Sequence, residues 1–316
     1  MRFVASEDLT AEQLEAAKGM TFPAYRALLD EAENRVALAA VEGDAVLGLA
    51  LWRVVGKDNQ SARLLSLLVD ADHRRQGIGA ALLKASIEAL GDGVERGFAF
   101  WSSSLPGAEA FEALLKSAGW GDKELDQCRV SGTAQSARDW AHRRRMDRML
   151  NRAGWVFTAF DQIGNEERAE ITQTVQEAGT PKGWAPFDPV TDDQPVVPEL
   201  SIVMRQHGAV VGWLTTCRAA NGDIWYYRLH NIGAGKASGA LMPLIVEVNR
   251  RHFDLDGPEA RWRWTTSSAR PDMLAFLARH ASEFCDFHDY HWVSKLMLRA
   301  EGDDAISETE QLAAVG

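Results

Sequence analysis

Residues 64–83 read LLSLLVDADHRRQGIGAALL. A strand-like run of Leu and Val ends at Val69, and a charged turn leads to Gly77-Ile78-Gly79. An apolar-faced helix then opens, with Leu82, Leu83, Ile87 and Leu90 at helical spacing. Glycine lets an anion come close to the backbone, and the helix start offers N–H groups and the positive end of its dipole. Arg74 and Arg75 bring formal positive charge to the same place. A strand, a basic glycine loop and a helix in this order suit a pyrophosphate.

Two familiar phosphate loops do not fit. A P-loop needs Lys and Ser or Thr after its last glycine, where Gly79 is followed by Ala80-Ala81. A Rossmann fingerprint needs a third glycine where Leu82 stands, and no acidic residue ends the next strand at Ser102. A basic turn capping an ordinary helix is the plain alternative.

Around the loop, Thr10 and Gln13 form a capping-box pattern for a helix over residues 10–18, and Pro23 leads a second over 24–33. Residues 35–41 and 45–55 are β-rich runs joined by Glu42-Gly43-Asp44, a hairpin. A strand over 97–102 and a helix over 108–118 follow, then a strand near 127–132. The order is ααβββαβα. From Trp155 a similar order returns: strand 155–160, helix 165–177, a hairpin across His207-Gly208, strand 224–229, helix 238–252, strand 261–266 and helix 271–280. The repetition points to an internal duplication whose residues have drifted.

Arg74-Arg75-Gln76-Gly77-Ile78-Gly79 resembles the Arg-x-x-Gly-x-Gly loop of the GNAT superfamily of acyl-CoA-dependent N-acyltransferases, and the element order is similar to that family's. The resemblance implies an α/β fold with a mixed sheet, as two tandem GNAT-like domains, the second degenerate. Their expected bounds are 1–132 and 155–300, with a connector helix over 133–154 and a disordered tail over 301–316. It implies acetyl-CoA, or another acyl-CoA, as co-substrate in a splay between strands 64–69 and 97–102. Backbone of Leu67, Leu68 and Val69 would pair with the pantetheine arm. Backbone N–H groups from Arg75 through Gln76, Gly77, Ile78, Gly79 and Ala80 would hold the pyrophosphate, beside Arg74. The acyl group would pass to a small-molecule amine by direct attack in a ternary complex. The rival reading is a non-catalytic acyl-CoA-binding module whose second half recruits a partner.

The match thins at the chemistry. In many relatives a Tyr four residues before a Gly-Phe pair protonates the departing thiolate; here Leu115 precedes Gly119-Trp120, and Ala108 stands where those relatives carry Asn. No acid lies between Arg63 and Val69 to serve as base. Ser66, inside that run, and Ser102, at the end of the facing strand, are the hydroxyls on hand, able to relay through water or simply to satisfy strand ends. Tyr290 is the tyrosine expected to reach across from the second half as acid, its alternative a rim or core role. The second-half loop His230 to Lys236 has glycines without a leading Arg, so productive acyl-CoA binding is not expected there.

Composition sets the rest. The chain has 316 residues with 46% hydrophobic and 25% charged, a length that suggests two domains. Its net charge of −11 does not suit a nucleic-acid backbone. The cluster Arg138 to Arg152 shares a helix side with Trp140, Met146, Met149 and Leu150, which suits a connector. No apolar run reaches the ~18 residues of a membrane span, and MRFVASEDLT has no signal-peptide core. Three widely spaced cysteines suit a reducing cytoplasm. Cys285, His288 and His291 are ligand types, but no second pair completes a tetrahedral site, so no metal is expected.

Overall fold

The computed structural model describes residues 1–31, 33–56, 60–146, 148, 150, 154–190, 194–232 and 241–298. They form two compact units. The first holds Met1–Leu125 and the C-terminal stretch from His291; the second holds Asp126–Tyr290.

In the first unit the sheet runs β1 (Arg2–Ala5), β2 (Arg35–Glu42), β3 (Ala45–Val55), β4 (Ser61–Val69), β5 (Arg96–Ser102) and β12 (Phe287–Met297). Among its described residues β4 and β5 are the pair that runs in parallel, and the others are antiparallel. On one face lie α2 (Ile78–Ala89) and α3 (Ala108–Ser117), closing a core of Trp52, Leu64, Leu83, Leu115 and Trp120. Trp52 is fully buried and donates its indole N–H to Ser86 Oγ at 2.9 Å, so its apolar body is buried with its polar atom satisfied. On the other face lie α1 (Ala11–Lys18) and a 3-10 helix over Pro23–Asp30, whose Leu28 packs in one core with Leu49 and Leu51 of β3. The capping box on Thr10 and Gln13 is formed in full. The second expected helix is this 3-10 turn, and β1 is a strand beyond the expected order.

The second unit's sheet runs β6 (Glu124–Thr133), β11 (Arg261–Ser267), β10 (Ile224–Asn231), β9 (Ala209–Arg218), β8 (Ile202–Gln206) and β7 (Trp155–Ala159). Helices α4 (Ala134–Arg143), α6 (Met242–Asp256) and α7 (Pro271–His280) supply one core with Trp140, Leu244 and Leu277. On the other side α5 (Asn165–Glu177) packs Ile171 and Val175 near Trp213.

The bounds of these units differ from the expected 1–132 and 155–300. Strand β6 pairs Gln127–Thr133 with β11, while β12 returns to pair His291–Met297 with β5. Helix α4 is part of the second unit's core through Ala137, Trp140 and Ala141 rather than a connector. Parts of the segment 138–152 and the whole of 301–316 lie outside the described residues.

The duplication is legible as hydrogen-bond register. In the first unit β2 pairs Ala40 with Gly48 and then Val41 with Val46, so Leu47 bulges. In the second, β8 pairs Met204 with Gly212 and then Arg205 with Val210, so Val211 bulges. Both bulged carbonyls take one amide from just beyond a central strand: Asp70 N–H to Leu47 O and Ile232 N–H to Val211 O, each at 2.9 Å. A second bulge falls at Leu65 in β4 and at Tyr227 in β10. Gly48 opposes Val69, and Gly212 opposes Asn231. A Cβ on Gly48 would sit 2.9 Å from Leu68 O and 3.4 Å from Leu82 Cδ2. One on Gly212 would sit 2.8 Å from His230 O and 3.2 Å from Leu244 Cδ1. The same glycine serves the same close approach of a helix in both units.

Candidate functional site

In the first unit β4 and β5 pair from Ser61–Arg96 to Leu64–Ala99 and no further, although the strands run on to Val69 and Ser102. A bulge bends its strand and interrupts pairing, and the bulge at Leu65 lies one residue past the last pair. The strands therefore open as a fork with its vertex at Leu64.

Alternation decides which backbone groups line it. Asp70 N–H bonds to Leu47 O on the β3 side, so Leu68 also turns its backbone to β3, while Leu67 and Val69 turn theirs into the fork. This corrects the expectation that Leu67, Leu68 and Val69 would all pair with a ligand arm. Leu68 instead presents its side chain, 39% exposed, on the face opposite α2. Val69 O accepts Arg74 Nε–H at 2.9 Å, tying the end of the fork to the basic loop.

The loop follows directly. Asp70 Oδ1 accepts Asp72 N–H at 3.1 Å and contacts His73 Nδ1 at 3.0 Å. The His73 hydrogen bond, then the Asp72 amide, hold the Asp70 carboxyl below its ordinary pKa. Arg75 takes a left-handed φ of 61° and Gly77 one of 81° as N-cap of α2. Gln76 Nε2 reaches Asp72 O at 3.5 Å. Gly77, the N-cap of α2, has no side chain to cap the helix, so the first-turn amides of Ile78, Gly79 and Ala80, which a helix leaves without an intrahelical carbonyl, receive no oxygen from it. A Cβ on Gly77 would meet nothing within 4 Å, so the surface beside it is open to an anion. Gly79 differs. Its Cβ would point inward, 3.5 Å from Val69 Cγ2 and 3.8 Å from Leu114 Cδ2. These groups fit the diphosphate and amide-bearing arm of an acyl-CoA.

The expected chemical residues lie as follows. Ser66 Oγ is buried at 2.6 Å from Thr21 Oγ1, on the face opposite α2. Ser102 Oγ accepts Ser104 N–H at 3.0 Å and contacts Ser104 Oγ at 2.7 Å, serving the turn after β5. Leu115 is buried in the core. Tyr290 belongs to the second unit, packs against its core and lies edge-on to His288 at 5.9 Å. Burial, then Cys128, push its phenol up. Burial pushes the Cys285 thiol up to about 12. Among the described residues no three His, Cys, Asp or Glu side chains gather as a metal site. Of the second glycine loop, Gly233 to Lys236 lie outside the described residues. No described helix is long and apolar enough to cross a membrane.

What the sequence reading missed is the pair of bulges and the sorting of Leu67 and Val69 from Leu68. The one local signal for them is Gly48, a glycine inside an otherwise apolar strand.

A model of the acetyltransferase (GNAT) family matches residues 5–111. Among solved structures, the GCN5-related glucosamine N-acetyltransferase region of a fungal multi-domain GH3 beta-N-acetylglucosaminidase is 14% identical, with a TM-score of 0.52 over 93% of this chain and 38% of that one. A tandem GNAT protein from the clavulanic acid biosynthesis pathway is 15% identical over 95% of this chain and 99% of its own, with a TM-score of 0.48. A GCN5-related N-acetyltransferase from Sphaerobacter thermophilus is 16% identical over 95% and 97%, with a TM-score of 0.49. At 14% identity the likeness to the fungal region is one of fold. No curated protein matches in sequence. Residues 5–111 are thus similar to the acetyltransferase (GNAT) family, and beyond them the same bulges and parallel strand pair recur.

Proposed function

We propose that the first unit transfers an acyl group, an acetyl group in the simplest case, from acyl-CoA to the amine of a small molecule. The observation that carries this reading is the continuity of fork and loop: outward backbone at Leu67 and Val69 runs straight into the Arg74 to Ala80 cradle. With the pyrophosphate on the amides of Ile78, Gly79 and Ala80, the pantetheine arm lies along β4 from Val69 towards the vertex. Leu67 N–H is then the outward amide beyond the bulge and nearest the vertex, and it donates to the thioester oxygen as negative charge develops there. The face carrying α2 is closed by packing, so the acceptor comes in over Leu68. The neutral amine adds to the carbonyl carbon, its proton passes to water, and the C–S bond breaks as thiolate leaves. Free thiols have a pKa of roughly 8.5, so solvent can reprotonate the thiolate without a dedicated acid. This agrees with Leu115 standing in the core.

The test is release of free CoA thiol from acetyl-CoA against a panel of amines. Amine-dependent release supports transfer. Tight binding with no release across primary, aromatic and polycationic amines would replace the proposal by the binding-module reading.

A further inference from the structure

Two helices of the second unit meet along a seam written in polar residues. On α4, Gln135, Arg138, Asp139 and His142 recur at the spacing of one helix face, and on α6 Asn249, Arg250 and Phe253 do the same. Ala137, Trp140 and Ala141 of α4 pack in one core with Val246 of α6, but beside that contact the polar stripes stand apart. They enclose a cleft of about 480 Å³, in the range that takes a small molecule.

The inner end of the cleft is Asn249, only 4% exposed. The ring of Tyr226 stacks on Trp262 in the core, and its buried hydroxyl donates to Asn249 Oδ1 at 2.6 Å. That bond fixes the amide, with Oδ1 spent on Tyr226 and Nδ2 turned the other way. Among the described residues nothing accepts from Nδ2, and it is not sealed from the cleft that Asn249 lines. The charges around it are unequal. Arg250 is paired with Glu247 at 2.9 Å and with Asp254 at 3.0 Å, and Asp139 Oδ1 accepts Gln135 Nε2–H at 2.7 Å. Arg138 instead lies over the ring of Phe253, 4.1 Å from its centroid, and no described carboxylate pairs with it. Phe253 is one turn beyond Asn249, so the stack holds the cation about 6 Å along α6 from the buried amide. A stacked guanidinium keeps the N–H groups at its edge for another partner.

We propose that the cleft between α4 and α6 binds a small organic monocarboxylate, held by the guanidinium fork of Arg138 and by Asn249 Nδ2–H. The planar fork of an arginine matches the two oxygens of a carboxylate. Both groups donate, so the ligand must accept. Asp139 lines the same cleft, so a single negative charge is balanced by Arg138 while the second charge of a phosphate dianion is opposed. Ala141 and Val246 give the rest of the ligand an apolar wall. The residues involved all belong to the second unit, so the site stands whether or not the first unit transfers an acyl group.

Benzoate is the probe, with benzamide as its neutral counterpart and inorganic phosphate as the dianion, each titrated into the full-length isotopically labelled protein. Benzoate should shift the Asn249 side-chain amide pair, and benzamide and phosphate should bind roughly ten-fold or more weakly, the worth of one charge-assisted hydrogen bond. Arg138 is exposed, so Arg138→Gln should fold like the parent and lose benzoate by the same factor. Asn249→Asp keeps an acceptor for Tyr226 but aims an acceptor at the ligand, and it should abolish binding. If that variant does not fold, the amide pair is assigned by its contact with the Tyr226 ring, and Arg138→Gln carries the test. An amide pair unmoved by tens of millimolar benzoate, equal affinity in Arg138→Gln, or a preference for benzamide or phosphate would each overturn the carboxylate site.

Discussion

Substitution at the two loop glycines separates backbone strain from ligand contact. Gly77 has φ 81° and open space where a Cβ would go, so Ala there meets no neighbour but pays for the left-handed conformation, roughly 1–2 kcal/mol. Glu adds a carboxylate at the anion cradle. Two unit charges ~5 Å apart repel by about 0.8 kcal/mol in water and by more near a protein surface. Against two phosphate charges this gives about 2–3 kcal/mol, a roughly 30- to 150-fold rise in Kd for acetyl-CoA. Gly79 lies inside α2, and its Cβ would make ordinary contacts with Val69 and Leu114. Gly79→Ala should therefore bind acetyl-CoA within about three-fold of the parent and gain up to ~1 kcal/mol of helix stability. The assays are calorimetric titration and urea unfolding on all three variants. If Gly79→Ala loses binding as Gly77→Glu does, or if Gly77→Glu binds like the parent, the placement of the anion beside Gly77 is wrong.

Three further outcomes are expected. Gly48→Ala and Gly212→Ala force a Cβ to 2.9 Å from Leu68 O and 2.8 Å from His230 O, backbone that cannot swing aside, and each should cost about 1–3 kcal/mol in urea unfolding; unchanged midpoints would refute the packing. Ser66→Ala should cost about 1–3 kcal/mol by stranding the buried Thr21 hydroxyl while leaving turnover within a few-fold, whereas a ten-fold loss of kcat at unchanged stability would make Ser66 catalytic. Glu283 is held at about 2 by Arg144 first and then His280, below its ordinary value of ~4.3. Its folded pKa is depressed, so its contribution is present above pH ~4 and lost as pH falls towards 2. Acid unfolding of Glu283→Gln should be flatter in that window, and superimposable curves would exclude the pairing.

Much of the first unit is legible in residues because its local signals agree. Thr10 and Gln13 announce α1, Glu42-Gly43-Asp44 announces the β2–β3 hairpin, and the glycine loop announces α2. The 3-10 turn after Pro23 reads as a helix because its apolar spacing is helical over a length too short to separate the two. The partners of β6 and β12 are not legible. Both strands carry alternating residues that suit any neighbour, and long-range pairing leaves no local mark. The candidate site divides likewise. Its loop is written in side chains that must be Arg and Gly, whereas its fork is written in backbone register, which many sequences satisfy.

That division explains how the second unit keeps the bulges and the parallel strand pair while its loop has drifted. A bulge needs one unpaired residue, and Leu65 and Tyr227 both supply it despite having nothing chemical in common. Beyond the bulge the strand bends, parity shifts, and two outward residues are left whatever their side chains are. The close approach of α2 and α6 needs a missing Cβ, and there the residue type is fixed: Gly48 and Gly212. Architecture is thus held by two backbone requirements per unit, and chemistry by what is laid over them. In the first unit a basic loop lies at one end of the fork and an uncovered Leu68 at its face. In the second, Arg228 occupies the register position of Ser66 and fastens Asp188 and Pro189 with two bonds where Ser66 makes one. On the proposed function, transfer needs an open face as well as a fork, and of the two units the first has both an exposed Leu68 and the basic loop.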